Sequence, residues 1–185
     1  MHATAFIWLI YASWALLVIY LIVAARGAKR DTQEHLLQSL GLAAAILAAF
    51  LLPHLAIFQF VNFAPVNAVL STIGLIVTAA GMAFFVWARQ HLGSNWSQTV
   101  AAKEGHELVI SGPYRYVRHP MYTGGTVACI GSAIVAGGAF VFLCVLLTPI
   151  FVWRVGAEDK LLARQFLGEF PAYEARTKAL IPFVW

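Results

Sequence analysis

Charge is what this chain has least of: only 11% of its 185 residues are Asp, Glu, Lys or Arg, against roughly 25% in a soluble domain. With 61% hydrophobic residues and a mean hydropathy of +0.79, the composition excludes an ordinary soluble globule and points to an integral membrane protein. Cysteine is nearly absent too. Cys129 and Cys144 both lie inside apolar runs, which fits buried small hydrophobes and offers neither a disulfide framework nor a metal site. Six histidines run from His2 to His119 without an HxxxH or HExxH spacing, so the metal signal is weak. The formal charge of +4 is the kind that orients helices in a bilayer, and no nucleic-acid partner is expected. The first apolar run lacks a basic n-region and an evident cleavage site, so it reads as a retained helix.

What is present is apolar helix. Residues 3–25 carry no charge, and about 23 residues at 1.5 Å each span a hydrocarbon core of about 30 Å. Arg26, Lys29, Arg30 and Asp31 stop that run. A second span is expected at about 36–60, with Pro53 and His54 near its far end, where His54 reads as an interfacial or inter-helix residue. After an uncharged turn at Asn62, Pro65 and Asn67, a third span covers about 66–88. Residues 89–119 form a long polar loop. Residues 121–153 are then apolar for about 33 residues, too long for one upright helix, so two helices at about 120–136 and 139–155 are expected to make a tight hairpin at Gly137-Gly138. Gly124, Ala128, Ser132 and Ala136 form a small-residue stripe that suits close helix packing.

All twelve Lys and Arg fall within residues 26–30, 89–118 and 154–178. With five spans these groups share one side, which puts the N-terminus outside and the C-terminus in the cytoplasm. The expected fold is therefore an all-α membrane protein of one domain over 1–185, with five spans, a cytoplasmic loop and a C-terminal cap at 156–185. In that cap Leu162, Phe166, Phe170 and Tyr173 make an apolar stripe opposite Lys160, Arg164 and Glu169, as in a helix lying in the membrane interface. Pro171 is expected to break or kink it.

Residues 106–122 interrupt this pattern with two histidines, two arginines, three tyrosines and two prolines. Pro120 suits the first turn of a helix. The amides of Met121 and Tyr122 would then point from a positive helix end, a site for carboxylate or phosphate that Arg115 and Arg118 reinforce. Leu108, Val109 and Ile110 form a β-prone run whose backbone could read a heterocycle edge. Arg154 and Glu158, four apart on one helical face, and Arg89 lie at the edges of apolar runs. Ionisable groups at that depth usually face a cavity and mark function.

The run Gly112-Pro-Tyr-Arg-Tyr-Val-Arg-His-Pro-Met-Tyr-Thr-Gly124 resembles the signature of the isoprenylcysteine carboxyl methyltransferase family, in its prokaryotic form, within the wider phospholipid methyltransferase superfamily. His91-Leu-Gly-Ser-Asn-Trp-Ser97, His106-Glu-Leu-Val109, Glu158-Asp159, Leu162, Phe166, Tyr173 and Ile181-Pro182 also fall at that family's spacing. The likeness covers about residues 89–185, while the first 88 match only as generic spans. It implies S-adenosyl-L-methionine as methyl donor, contacted by His106, Glu107, Leu108, Val109, Tyr114, His119, Pro120, Met121, Tyr122 and Glu158. It further implies that Arg154 contacts a carboxylate substrate and acts in catalysis with Arg89, and that Gln98 or Thr99 matches a family glutamine. The chain departs from the pattern at Asp159, where the family has a second glutamate, at Leu167 and at Phe170.

The function this resemblance implies is carboxyl O-methylation of a lipophilic, isoprenylcysteine-like acceptor reached from the bilayer of a bacterial-type cytoplasmic membrane, with the site facing the cytoplasm. No obligate protein partner is expected. An amine N-methyltransferase of phospholipids is the alternative within enzymes, and it would need Glu158, Asp159 or a histidine as base. A non-catalytic membrane protein of the same fold is the alternative outside them.

Overall fold

The computed structural model describes residues 2–25, 67–93 and 107–182. Helix α1 spans His2–Ala25, α2 Ala68–Leu92, α3 Pro120–Ala136, α4 Gly138–Gln165 and α5 Phe170–Arg176, with a 3-10 turn at Gly112–Arg115. No strand occurs among the described residues, only an isolated parallel bridge between Val117 and Lys178. Three of these helices are long and apolar enough to cross a membrane, and α3 is a shorter apolar one. The chain is an all-α, multi-pass membrane protein. The second expected span, at about 36–60, and His54 lie outside the described residues.

Local chemistry sets the helix ends. Asn67 caps α2 by accepting from the Val69 amide at 2.8 Å, as N-cap side chains do. Pro120 occupies the first turn of α3, where a missing N–H costs nothing. Gly137, at φ +73°, sits in the left-handed region and breaks α3 from α4, which forms the expected tight hairpin.

The core is built around α2 against α3. A Cβ on Gly81 would strike the backbone of Ala128 and Gly124, and one on Gly131 would strike the backbone of Thr78 and Gly74. The small-residue stripe is thus a helix–helix contact at backbone range. Polar groups inside it are satisfied: Trp14 Nε1 donates to Ser132 Oγ at 2.9 Å, and Ser132 Oγ donates to the Ala128 carbonyl at 2.8 Å.

Helix α1 lies along this pair, with Ile10 against Val135 and Phe140 and Leu17 against Met82 and Ala128. Arg89 Nη2 reaches the Ala24 carbonyl at 3.1 Å, so the C-terminal ends of α1 and α2 meet. The two helices run in the same direction. The outer faces of α1, α2 and α4 remain apolar and exposed, including Trp8, Leu16, Ile76, Val145 and Trp153, as lipid-facing surfaces must be.

The C-terminal part differs from the expected single interfacial helix. Helix α4 does not stop near 155; it continues through Gln165 and carries Arg154, Glu158 and Asp159 on one rod. The chain then turns at 166–169, and Pro171 starts the short α5 without kinking it. The stripe is divided accordingly: Leu162 is on α4, Phe166 in the turn, and Phe170 and Tyr173 on α5. Phe170 is fully buried edge-on to Tyr173, a place with no need for a hydroxyl. The β-prone run at 108–110 belongs to no helix or strand.

Candidate active site

Two consecutive carboxylates on α4 and one histidine at the start of α3 make the centre of the site. His119 Nδ1 lies 3.3 Å from Glu158 Oε2, and its Nε2 lies 2.9 Å from Asp159 Oδ1. Tyr122, one turn into α3, donates to Glu158 Oε1 at 2.5 Å. Arg154, one turn before Glu158 on α4, donates through Nε to the Tyr122 hydroxyl at 2.8 Å and through Nη2 to Glu158 Oε1 at 3.3 Å. The Tyr122 ring stacks on Phe151 of α4 at 5.0 Å and on His119 at 5.8 Å. The i, i+4 pair expected on one face of α4 is present, and a tyrosine from the neighbouring helix is inserted into it.

Asp159 also receives Arg118, Nη2 to Oδ2 at 2.8 Å and Nε to Oδ1 at 3.4 Å, a forked charge-assisted contact. Arg118 Nη1 reaches back to the carbonyls of Thr177 and Glu174. Residues 177–180 run beside the start of α3 and fasten to it. The amides of Arg118 and His119 donate to Lys178 and Ala179 at 2.8 and 3.0 Å, and Thr123 Oγ1 donates to the Leu180 carbonyl at 2.7 Å.

At the start of α3 the His119 and Tyr122 side chains are held by the protein's own carboxylates, Glu158 and Asp159. Burial alone would lower the ionisation of His119, but the hydrogen bonds and charges of Asp159 and Glu158 outweigh it, and its pKa is raised above the ordinary value.

Tyr114 is buried in the 3-10 turn. Its hydroxyl points to the Ala88 carbonyl at 3.5 Å, and its own carbonyl accepts from Tyr173 at 2.7 Å. Burial first, then the neighbouring Tyr173 and Glu158 charges, push the Tyr114 phenol up, and burial does the same to Tyr173. Arg89 stands beyond Tyr114, with Nη1 on the Gly93 carbonyl at 3.2 Å and Nη2 on Ala24. These bonds tie two helix ends together.

The structure thus brings Arg154, Glu158, His119 and Tyr122 into one contact cluster. Pro120 is buried beneath it and Met121 is half-buried beside it. Glu107, Leu108 and Val109 form an extended approach to the 3-10 turn, and His91 anchors that approach by a 2.8 Å bond to Ser111. His106, Gln98 and Thr99 lie outside the described residues. Sequence reasoning named Arg118 at the start of α3 and Asp159 beside Glu158 but missed the ion pair between them, and it missed the 177–180 strap altogether. The adjacency of Glu158 to Asp159 and of Arg118 to His119 was the available signal; the strap, made of backbone carbonyls, left none.

The class these features define is a multi-pass helical membrane protein with a compact charge cluster at one end of its bundle. Residues 72–164 match the model of the isoprenylcysteine carboxyl methyltransferase family. The chain belongs to that family. It is 30% identical over 99 residues to the protein-S-isoprenylcysteine O-methyltransferase of Schizosaccharomyces pombe, covering 50% of this chain and 41% of that protein. It is 26% identical over 171 residues to protein-S-isoprenylcysteine O-methyltransferase B of Arabidopsis thaliana, covering 89% and 85%. A nickel-cobalt-cadmium resistance protein, NccN, of Alcaligenes xylosoxydans xylosoxydans is 27% identical over 122 residues, covering 63% and 52%. The chain thus spans less than half the length of the fission-yeast relative.

Proposed function

We propose that this protein is a membrane-embedded methyltransferase that uses S-adenosyl-L-methionine to O-methylate the carboxylate of a lipophilic, isoprenylcysteine-like acceptor. The observation that carries the reading is the Arg154–Tyr122–Glu158–His119 cluster, set where a long apolar helix pair passes into the charged end of the bundle.

The residues present suit such a donor. The acidic side chain of Glu158 complements a cationic molecule, and it lies beside the Tyr122–Phe151 stack. Glu158, Tyr122, His119 and Tyr114, with the extended backbone at 107–109, would hold it. When bound, S-adenosylmethionine supplies an electrophilic methyl group on a sulfonium.

The chain's own part is positioning. Arg154 orients the acceptor carboxylate by a charge-assisted contact, and Tyr122 fixes the Arg154 guanidinium through Nε. A carboxylate is ionised at neutral pH, so no general base is needed. An amine acceptor would need a base, and both nearby carboxylates are already engaged by Arg118, His119 and Arg154. That favours the carboxylate reading over phospholipid N-methylation.

The described Lys and Arg side chains from 89 to 178 lie at the bundle end that holds the cluster or beyond it, which supports a cytoplasmic orientation of the site with the N-terminus outside. A bacterial-type cytoplasmic membrane, and acceptor entry from its bilayer, complete the proposal. Calorimetry with S-adenosylmethionine on detergent-purified protein tests it. Binding that Glu158→Ala weakens and Arg154→Ala spares is expected; no binding at millimolar cofactor refutes the reading.

A further inference from the structure

We infer that Asp159 is a positioning residue: it holds His119 as an imidazolium between itself and Glu158, so that His119 contributes a fixed positive charge to the site. The inference rests on the methyltransferase reading for its catalytic consequence, while the ionisation it asserts stands independently.

The geometry is explicit. Both ring nitrogens of His119 face carboxylate oxygens, Nδ1 on Glu158 and Nε2 on Asp159. An ionised carboxylate only accepts hydrogen bonds, and a neutral imidazole carries one donor. Neutral His119 would therefore aim a lone pair at an anionic oxygen, on a ring whose side chain is 6% exposed. The doubly protonated ring satisfies both contacts. Burial opposes that charge, and the two carboxylates supply what overcomes it.

Asp159 has no freedom to turn away. Its second oxygen is held by Arg118, whose side chain is 10% exposed and is itself fixed to the Thr177 and Glu174 carbonyls. Among the described residues, the charged and titratable groups around His119 are these: Glu158 and Asp159 from α4, with Arg154 behind Glu158; Arg118 behind Asp159; Tyr122 stacked on the ring from its own helix; and Glu174 of α5 at 3.5 Å from Arg118, half exposed to solvent.

With Glu174 3.5 Å from Arg118, the cations Arg118, His119 and Arg154 are matched by the carboxylates Glu158, Asp159 and Glu174. Loss of the His119 proton makes this cluster one charge more negative beside Arg154, which disfavours an anionic acceptor, and releases one side of Glu158. Acceptor affinity should then fall as pH rises through the His119 transition, with KM rising more than kcat falls.

The test is a histidine NMR titration of isotopically labelled protein in lipid nanodiscs, without cofactor, with the His119 signal assigned by His119→Asn. Wild type should titrate above the ordinary histidine range, and Asp159→Asn should lower the transition by about one to two pH units. Asp159→Glu keeps the charge and should restore most of the shift. In parallel, the alkaline limb of the acceptor kcat/KM profile should move down in Asp159→Asn by the same interval. A wild-type His119 titrating near 6.5, or one unmoved by Asp159→Asn, overturns the inference; so does a moved His119 with an unchanged kinetic profile. Absence of methyl transfer in wild type, with His119 still displaced, would refute the proposed function and leave the imidazolium assignment standing.

Discussion

The membrane-buried half and the charged end of this bundle are held together by opposite means. Between α2 and α3 the helices touch because side chains are missing: Gly74, Gly81, Gly124 and Gly131 leave no room for a Cβ. At the other end, His119, Glu158, Asp159, Arg118, Arg154 and Tyr122 each hold at least two partners. The first region should tolerate nothing added and the second nothing removed. Under the proposed function, in which the site orients a carboxylate beside a cationic donor, that division is useful, because a tight scaffold keeps the charged groups in register.

The largest effect should come from removing a partner at the charged end. Arg154→Ala is expected to lower methyl transfer about a hundredfold or more, since losing one orienting group misplaces the reacting atoms. An equal loss of cofactor binding would erase the distinction between Arg154 and Glu158. Next is an addition in the scaffold. Gly81→Leu should destabilise the bundle by about 1–3 kcal/mol through overpacking, read as a lower Tm in detergent, whereas Gly156→Ala, with open space around it, should be neutral.

The third prediction concerns pH. The folded pKa of His119 is raised, so its contribution to stability is complete below the unfolded value of about 6.5. It is lost as pH rises through the folded value. Thermal melts should therefore fall between mildly acidic and alkaline pH in wild type, and His119→Asn should flatten that slope.

Smaller effects sharpen the boundary between the regions. Thr123→Val removes the bond to the Leu180 carbonyl and should cost about 1 kcal/mol, visible as faster proteolysis of the C-terminal strap. Trp14→Phe removes the indole bond to Ser132 and should cost only about 0.6 kcal/mol, the usual worth of a hydrogen bond inside a bilayer.

The two regions also differ in how much of them the sequence disclosed. Helices are local, so the uncharged runs, the Gly137 break and Pro120 at a helix start were readable from periodicity and composition. The Arg154–Glu158 pair was readable because both residues share one helix. What stayed hidden is what joins distant segments. Nothing local says that Tyr122 enters the Arg154–Glu158 pair, or that residues 177–180 lend their carbonyls to the start of α3. The expected interfacial helix failed for a related reason: α4 keeps its helical hydrogen bonds past the membrane span to Gln165, and the apolar stripe divides at the turn that follows. Leu108, Val109 and Ile110 have strand propensity but pair with no strand among the described residues, and tertiary context decides such runs.

Under the proposed function, the charge cluster positions a carboxylate to take a methyl group from S-adenosylmethionine. Purified protein in lipid nanodiscs, given S-adenosylmethionine with an isotopically labelled methyl group and a prenylated cysteine as acceptor, tests it directly. Labelled lipophilic product is expected, with its label released as methanol by mild base, the mark of a methyl ester, and with its formation lost in Arg154→Ala. Label that resists base, or that enters phospholipid amines in place of the prenylcysteine, would contradict it.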